Sequence, residues 1–114
     1  MEQIKKIKEL LIALGITPTL KGYDYLAVAI DNVLTAYKAG EKKVDFLILY
    51  KAIAFMNDVK AMAVEHAMRY AIIRAFKVPS APLLKSIFTF IPDSEHATVS
   101  CFICTVAQHL YYEE

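Results

Sequence analysis

The chain's two arginines, Arg69 and Arg74, fall in a single run, Tyr50 to Phe76, YKAIAFMNDVKAMAVEHAMRYAIIRAF. A guanidinium presents paired, planar donors that fit the edge of guanine, and an ammonium fits a phosphate oxygen. In and beside this run, Lys51, Lys60, Arg69, Arg74 and Lys77 outnumber Asp58 and Glu65 by three. The chemistry on offer is recognition of a polyanion rather than bond making. The chain holds no G-x-S-x-G elbow, no Walker-type glycine loop and no H-E-x-x-H pair, so neither an enzyme nor a cofactor is expected.

At about 100° per residue, Met62, Glu65, His66, Arg69 and Ile73 form one stripe, opposite Val64, Met68, Ala71 and Ala75. These five are the candidates for facing bases. Arg69 reads either as a base reader or as a solvated surface arginine, and His66 as a donor to phosphate or base or as plain surface. Met62 and Ile73 suit a thymine methyl or a protein surface. Lys60, Arg74 and Lys77 are phosphate candidates. Lys21 with the backbone N–H of Gly22 is another, at the start of a second helix, against ordinary helix initiation with Tyr23 and Tyr25 packing. Cys101 and Cys104 are a single C-x-x-C pair with apolar residues between and no second pair to complete a zinc site. His109 lies too far along to join His96. Cys104 is expected to be a buried small hydrophobe, and no metal site is expected.

Placing such a stripe requires two helices and a turn, and helical periodicity dominates the whole chain. A first helix is predicted from about Glu2 to Leu14, stopped by Gly15 with Pro18 beyond. A second begins near Lys21, with Leu26, Ile30, Val33, Leu34 and Tyr37 on one face, and stops at Gly40. Val44 to about Met56 forms a third, with Leu47, Tyr50, Ile53 and Ala54 inward. Asn57 and Asp58 make the turn, and Asp58 caps a fourth helix whose apolar positions run from Ala61 to Ala75. A short helix, Leu83 to about Phe90, and a last one, about Thr98 to Tyr111, follow. The expected fold is an all-α compact bundle of about six helices, a single domain over 1–114. It contains a helix-turn-helix at about 44–76, in which Ala54 is the small crossing residue and Val59, Val64 and Ala67 lock the pair. Asn57 stands where that motif usually has an apolar residue, so Phe55 or Met56 is expected to make the packing contact. A plain helical hairpin is the other reading of the same pattern.

Composition bounds the answer further. With 114 residues and 57% hydrophobic content, the chain can bury one real core but not two. A formal charge of +1 gives no overall electrostatic case for nucleic acid, so affinity must come from local clustering. Mean hydropathy is high, +0.39, yet charges interrupt every apolar run short of the roughly 20 residues a spanning helix needs. The N-terminal lysines and Leu10 to Ile16 do not make a signal sequence, because Glu2 and Glu9 interrupt them and Ile4, Ile7, Leu11 and Leu14 recur at helical spacing. The two cysteines do not form a secreted disulfide framework. The cytoplasm is the expected compartment, with no membrane.

Three segments carry a family resemblance. LGITPTLKGYDYLAVAI, Leu14 to Ile30, resembles the opening of the C-terminal effector domain of the bacterial sporulation initiation response regulator, stage zero sporulation protein A. Its most specific marker is Lys21, Gly22 and Tyr23 with Tyr25 and Leu26. Tyr50 to Phe76 aligns with that family's helix-turn-helix without a gap, and VSCFICTVAQHL, Val99 to Leu110, resembles its last helix. The resemblance implies a six-helix, double-stranded DNA-binding domain that regulates transcription in sporulation, often as tandem copies with the last helix near their contact. On the recognition helix Val64, Ala67, Glu65 and Arg69 match, whereas Met62 replaces a serine and Ala63 and His66 replace arginines, so the family's own target box is expected to be read poorly. Only a short helix precedes the resemblance, so the family's receiver-borne phosphorylation control is not carried over, and an excised domain or a stand-alone relative is expected. Two functions follow: a sequence-specific DNA-binding regulator, or a diverged interaction module that kept the fold and pairs with itself or a protein partner through Met62, Ile73, neighbouring apolar residues and the last helix.

Overall fold

In the computed structural model, residues 2–41, 43–77 and 99–113 are described. They form α1 (Glu2–Ala13), α2 (Lys21–Lys38), α3 (Phe46–Met56), α4 (Ala61–Phe76) and α5 (Val99–Glu113), with no strand among the described residues. The helix expected near 83–90 lies outside them, as does Thr98.

Three of these helices end in the same device. Gly15 (φ +95°), Gly40 (φ +87°) and Asp58 (φ +53°) each turn left-handed after the last helical residues. In each case the next amide reaches back five residues: Ile16 to the Leu11 carbonyl at 2.9 Å, Glu41 to Ala36 at 2.9 Å and Val59 to Ala54 at 3.0 Å. This closure satisfies carbonyls the helix leaves open. The two glycines were legible as stops; Asp58 corrects the sequence reading, because it closes α3 instead of capping α4. Lys60 is the N-cap residue of α4 and makes no side-chain cap bond.

The start of α3 is corrected too. The Asp45 carboxylate accepts the Ile48 amide at 3.1 Å, so the helix begins at Phe46 and not at Val44. With that start, Leu49, Ile53 and Ala54 are buried and Phe46 and Tyr50 pack beside them, while Leu47 points outward at 60% exposure. Phe55 and Met56 are exposed as well, so neither makes the expected packing contact. Val59, brought round by the Asp58 turn, makes it instead.

The centre of the molecule is α2, which packs against all four other helices. Leu26, Ile30, Val33 and Leu34 are buried as expected, joined by Ala27 and Ala29. Near its start, Gly22 lies directly on α4: a Cβ there would stand 2.2 Å from the Ala67 carbonyl oxygen and 2.8 Å from its carbon. The missing side chain therefore sets the α2–α4 distance. On the outside, Gln3 Nε2 donates to Asp31 Oδ1 at 2.7 Å and to Thr35 Oγ1 at 3.0 Å, pinning α1 to α2. The radius of gyration is 13.2 Å, matching the about 13 Å of a globular chain this long. Among the described residues no helix is long and apolar enough to cross a membrane.

Candidate nucleic-acid interface

The helix α4 is held by one apolar face. Val64, Met68, Ala71, Ile72 and Ala75 recur at three- and four-residue spacing and are all buried, in a helix that packs against α2, α3 and α5. What this packing leaves outside is the stripe read from the sequence. Met62, His66 and Arg69 are exposed, and Glu65 and Ile73 are half-buried.

Three of those residues lie together around the Glu65 carboxylate. Arg69 Nε donates to Glu65 Oε1 at 2.8 Å, and a terminal guanidinium nitrogen donates to the same oxygen. His66 Nε2 lies 3.8 Å from the other carboxylate oxygen. Tyr50 of α3 faces this group: its phenol is pushed up to about 12, first by burial, then by the Glu65 carboxylate, with Arg69 opposing. Arg69 is thus parked on its own helix. A surface i,i+4 pair contributes only about 0.3–0.5 kcal/mol, so a guanine edge or a phosphate can compete for the guanidinium at small cost.

A second group, missed in the sequence, lies on the flank. Tyr70 is exposed, and Arg74 lies against it, its Nη1 donating to the phenol oxygen at 3.2 Å and its guanidinium carbon 5.8 Å from the ring centroid. The signal was available in the four-residue spacing of Tyr70 and Arg74, the same spacing that pairs Glu65 with Arg69.

The phosphate candidates do not form one cluster. Lys60 stands exposed at the N-terminus of α4, where the first amides have no intrahelical partner. Lys77 is exposed at the other end, about 25 Å away along a helix of this length. Lys21 is exposed at the first residue of α2, and Gly22 beside it is buried against Ala67. The glycine is accounted for by helix packing.

The cysteines stand apart from this surface. Neither is in a disulfide and both are half-buried in α5, and Cys104 departs from the expectation of a buried hydrophobe. The Tyr37 phenol is pushed up to about 12, first by burial and then by Cys104 beside it. Among the described residues no group of three His, Cys, Asp or Glu side chains could hold a metal ion. His96 lies outside the described residues.

Comparison with known proteins adds one finding. A family model described as Sporulation initiation factor Spo0A C terminal matches residues 7–110. No curated protein matches the chain.

Proposed function

The chain belongs to the Spo0A C-terminal family, the DNA-binding effector domain of a sporulation regulator, and from that premise we propose that it is a sequence-specific transcriptional regulator acting in the bacterial cytoplasm. The family is one of DNA-binding domains, not of enzymes. In this reading residues 1–114 act as one domain and α3 and α4 as a helix-turn-helix, with α4 lying in the major groove. Arg69 reads a base after leaving Glu65, with His66 and Glu65 beside it and Met62 and Ile73 against thymine methyls. Lys60, Arg74, Lys77 and Lys21 position the backbone, and the Gly22 amide is the least suited of the phosphate candidates because the residue is buried.

The observation that carries the proposal is the outward face of α4. A helix packed against α2, α3 and α5 leaves Met62, His66 and Arg69 exposed on the segment that the family match spans. Ala63 and His66 stand where the family resemblance has arginines, and each lost arginine fork removes about 1–3 kcal/mol of base discrimination. The sequence read is therefore expected to differ from the family's target box.

Fluorescence anisotropy with random and family-box duplexes at two salt concentrations tests this. Binding that weakens with salt and falls with Arg69→Ala is expected. No binding at low salt, where phosphate contacts are strongest, overturns the proposal.

A second reading rests on a separate observation: Leu47, Ile48, Phe55 and Met56 on α3 and Met62 on α4 are all more than half exposed. Such a surface suits a homodimer or a protein partner, and the last helix remains the other candidate contact. Sedimentation showing a strict monomer at high concentration removes self-association from this reading.

A further inference from the structure

Beside the C-terminal end of α2, away from α4, the end of α5 leaves a cleft of about 370 Å³ lined by Tyr37, Gly40, Glu41, Gln108, Tyr111 and Tyr112. That volume sits at the small end of the roughly 300–1,000 Å³ typical of ligand clefts. Tyr111 stands at its centre. Its ring centroid is 6.1 Å from that of Tyr37 at 75° and 5.3 Å from that of Tyr112 at 77°. Rings set nearly perpendicular present faces in more than one direction, and each face carries the negative end of the ring quadrupole. Tyr112 is 80% exposed, so this cluster is not simply core packing.

The same corner carries a full negative charge. After the left-handed turn at Gly40, the Glu41 amide closes on the Ala36 carbonyl at 2.9 Å, which fixes Glu41 at the rim. Its carboxylate is exposed and makes no ion pair among the described residues. Among the described residues nothing stands within 4 Å of where a Gly40 side chain would begin, which leaves the wall open to them there. Tyr faces attract a cation lying within about 6 Å of their centroids, and most favourably one with a weakly hydrated, methylated surface.

We propose that this cleft binds an alkylammonium cation, its methylated head against the faces of Tyr37, Tyr111 and Tyr112 and its charge beside the Glu41 carboxylate. The head can belong to a small quaternary ammonium compound or to a methylated lysine side chain. Both present the same chemistry, and the probes separate them.

The test is amide-shift mapping by NMR, with tyrosine emission as a second readout in a chain without tryptophan. The probes are choline, a short peptide carrying trimethyllysine, the same peptide with lysine, and the neutral isostere 3,3-dimethylbutanol. Saturable shifts at Gly40, Glu41 and Gln108 are expected with choline, the methylated peptide or both, with the neutral isostere at least about tenfold weaker. Choline alone identifies a small-molecule site, and the methylated peptide alone a side-chain site. Because Tyr37 and Tyr111 touch within the fold, the variants are at the exposed positions: Tyr112→Leu lowers affinity about tenfold and Glu41→Gln several-fold, with the circular dichroism spectrum unchanged. Equal affinity for the neutral isostere, tighter binding of unmodified lysine than of trimethyllysine, or no saturable shift from any probe at millimolar concentration overturns the proposal.

Discussion

α2 carries Lys21, Asp24, Asp31, Asn32 and Lys38 among its 18 residues and still buries nine; α3 is apolar at every one of its 11 positions except Lys51 and buries three. The difference is one of neighbours. α2 meets four helices, while α3 packs substantially only on α4 and α2. Apolar composition supplies the tendency to be buried, but coverage requires a partner surface, and α3 has one on a single side. The outer side leaves Leu47, Ile48, Phe55 and Met56 in water. The helix with the stronger apolar character is thus the one with surface to spare.

Truncation is the largest test of this contrast. Ile30→Ala, at a fully buried position in α2, should cost about 2–5 kcal/mol in urea unfolding. A value near zero would mean that α2 is not the centre of the core. Next is Gly22→Ala, where a methyl group meets α4 backbone. Overpacking should cost about 1–3 kcal/mol and lower the Tm in a thermal melt, and unchanged stability would show that α2 and α4 can separate freely. Asp58→Gly should act in the opposite direction, raising stability by up to about 1 kcal/mol, because it relieves a non-glycine residue at φ +53°.

The inner face of α3 gives a pH test. The Tyr50 phenol is raised from 10.0 to about 12, so its contribution is fully present below pH 10, where both folded and unfolded chains hold the proton. Between pH 10 and about 12 the unfolded chain releases that proton first, and stability falls. The urea midpoint should decline across this window and decline less in Tyr50→Phe. The smallest effect is expected on the outer face. Phe55→Ser, at 88% exposure, should change stability by no more than about 0.5 kcal/mol, and a large loss would reveal that α3 is covered in solution.

Much of this was legible because it is local. The all-α class, the start of α2 at Lys21 and the stops at Gly15 and Gly40 follow from periodicity and from the dihedral freedom of glycine. The outward stripe of α4 followed from 100° geometry with Met68 and Ala71 opposite. Leu47 reads as inward in the sequence because a start at Val44 lies one residue ahead of the true cap, Asp45, and because a helix apolar all round gives no internal sign of which side is in. An aspartate before a helix ordinarily caps it, so the local pattern points Asp58 to α4, and only the path of the chain shows that it closes α3. The pairing of Tyr70 with Arg74 is readable in their four-residue spacing.

By itself, then, the sequence determined that the chain is helical, where most helices stop, and which side of α4 faces out, because those outcomes depend on residues within a few positions of one another. Tertiary structure alone decided that Gly22 is needed for the close approach of Ala67, that Tyr50 lies against the Glu65–Arg69 pair, that three tyrosines from two distant helices enclose one cleft, and that the most apolar helix keeps one side in water. Each of these depends on which surface another helix covers, and helices far apart in the chain meet according to the packing of the whole core.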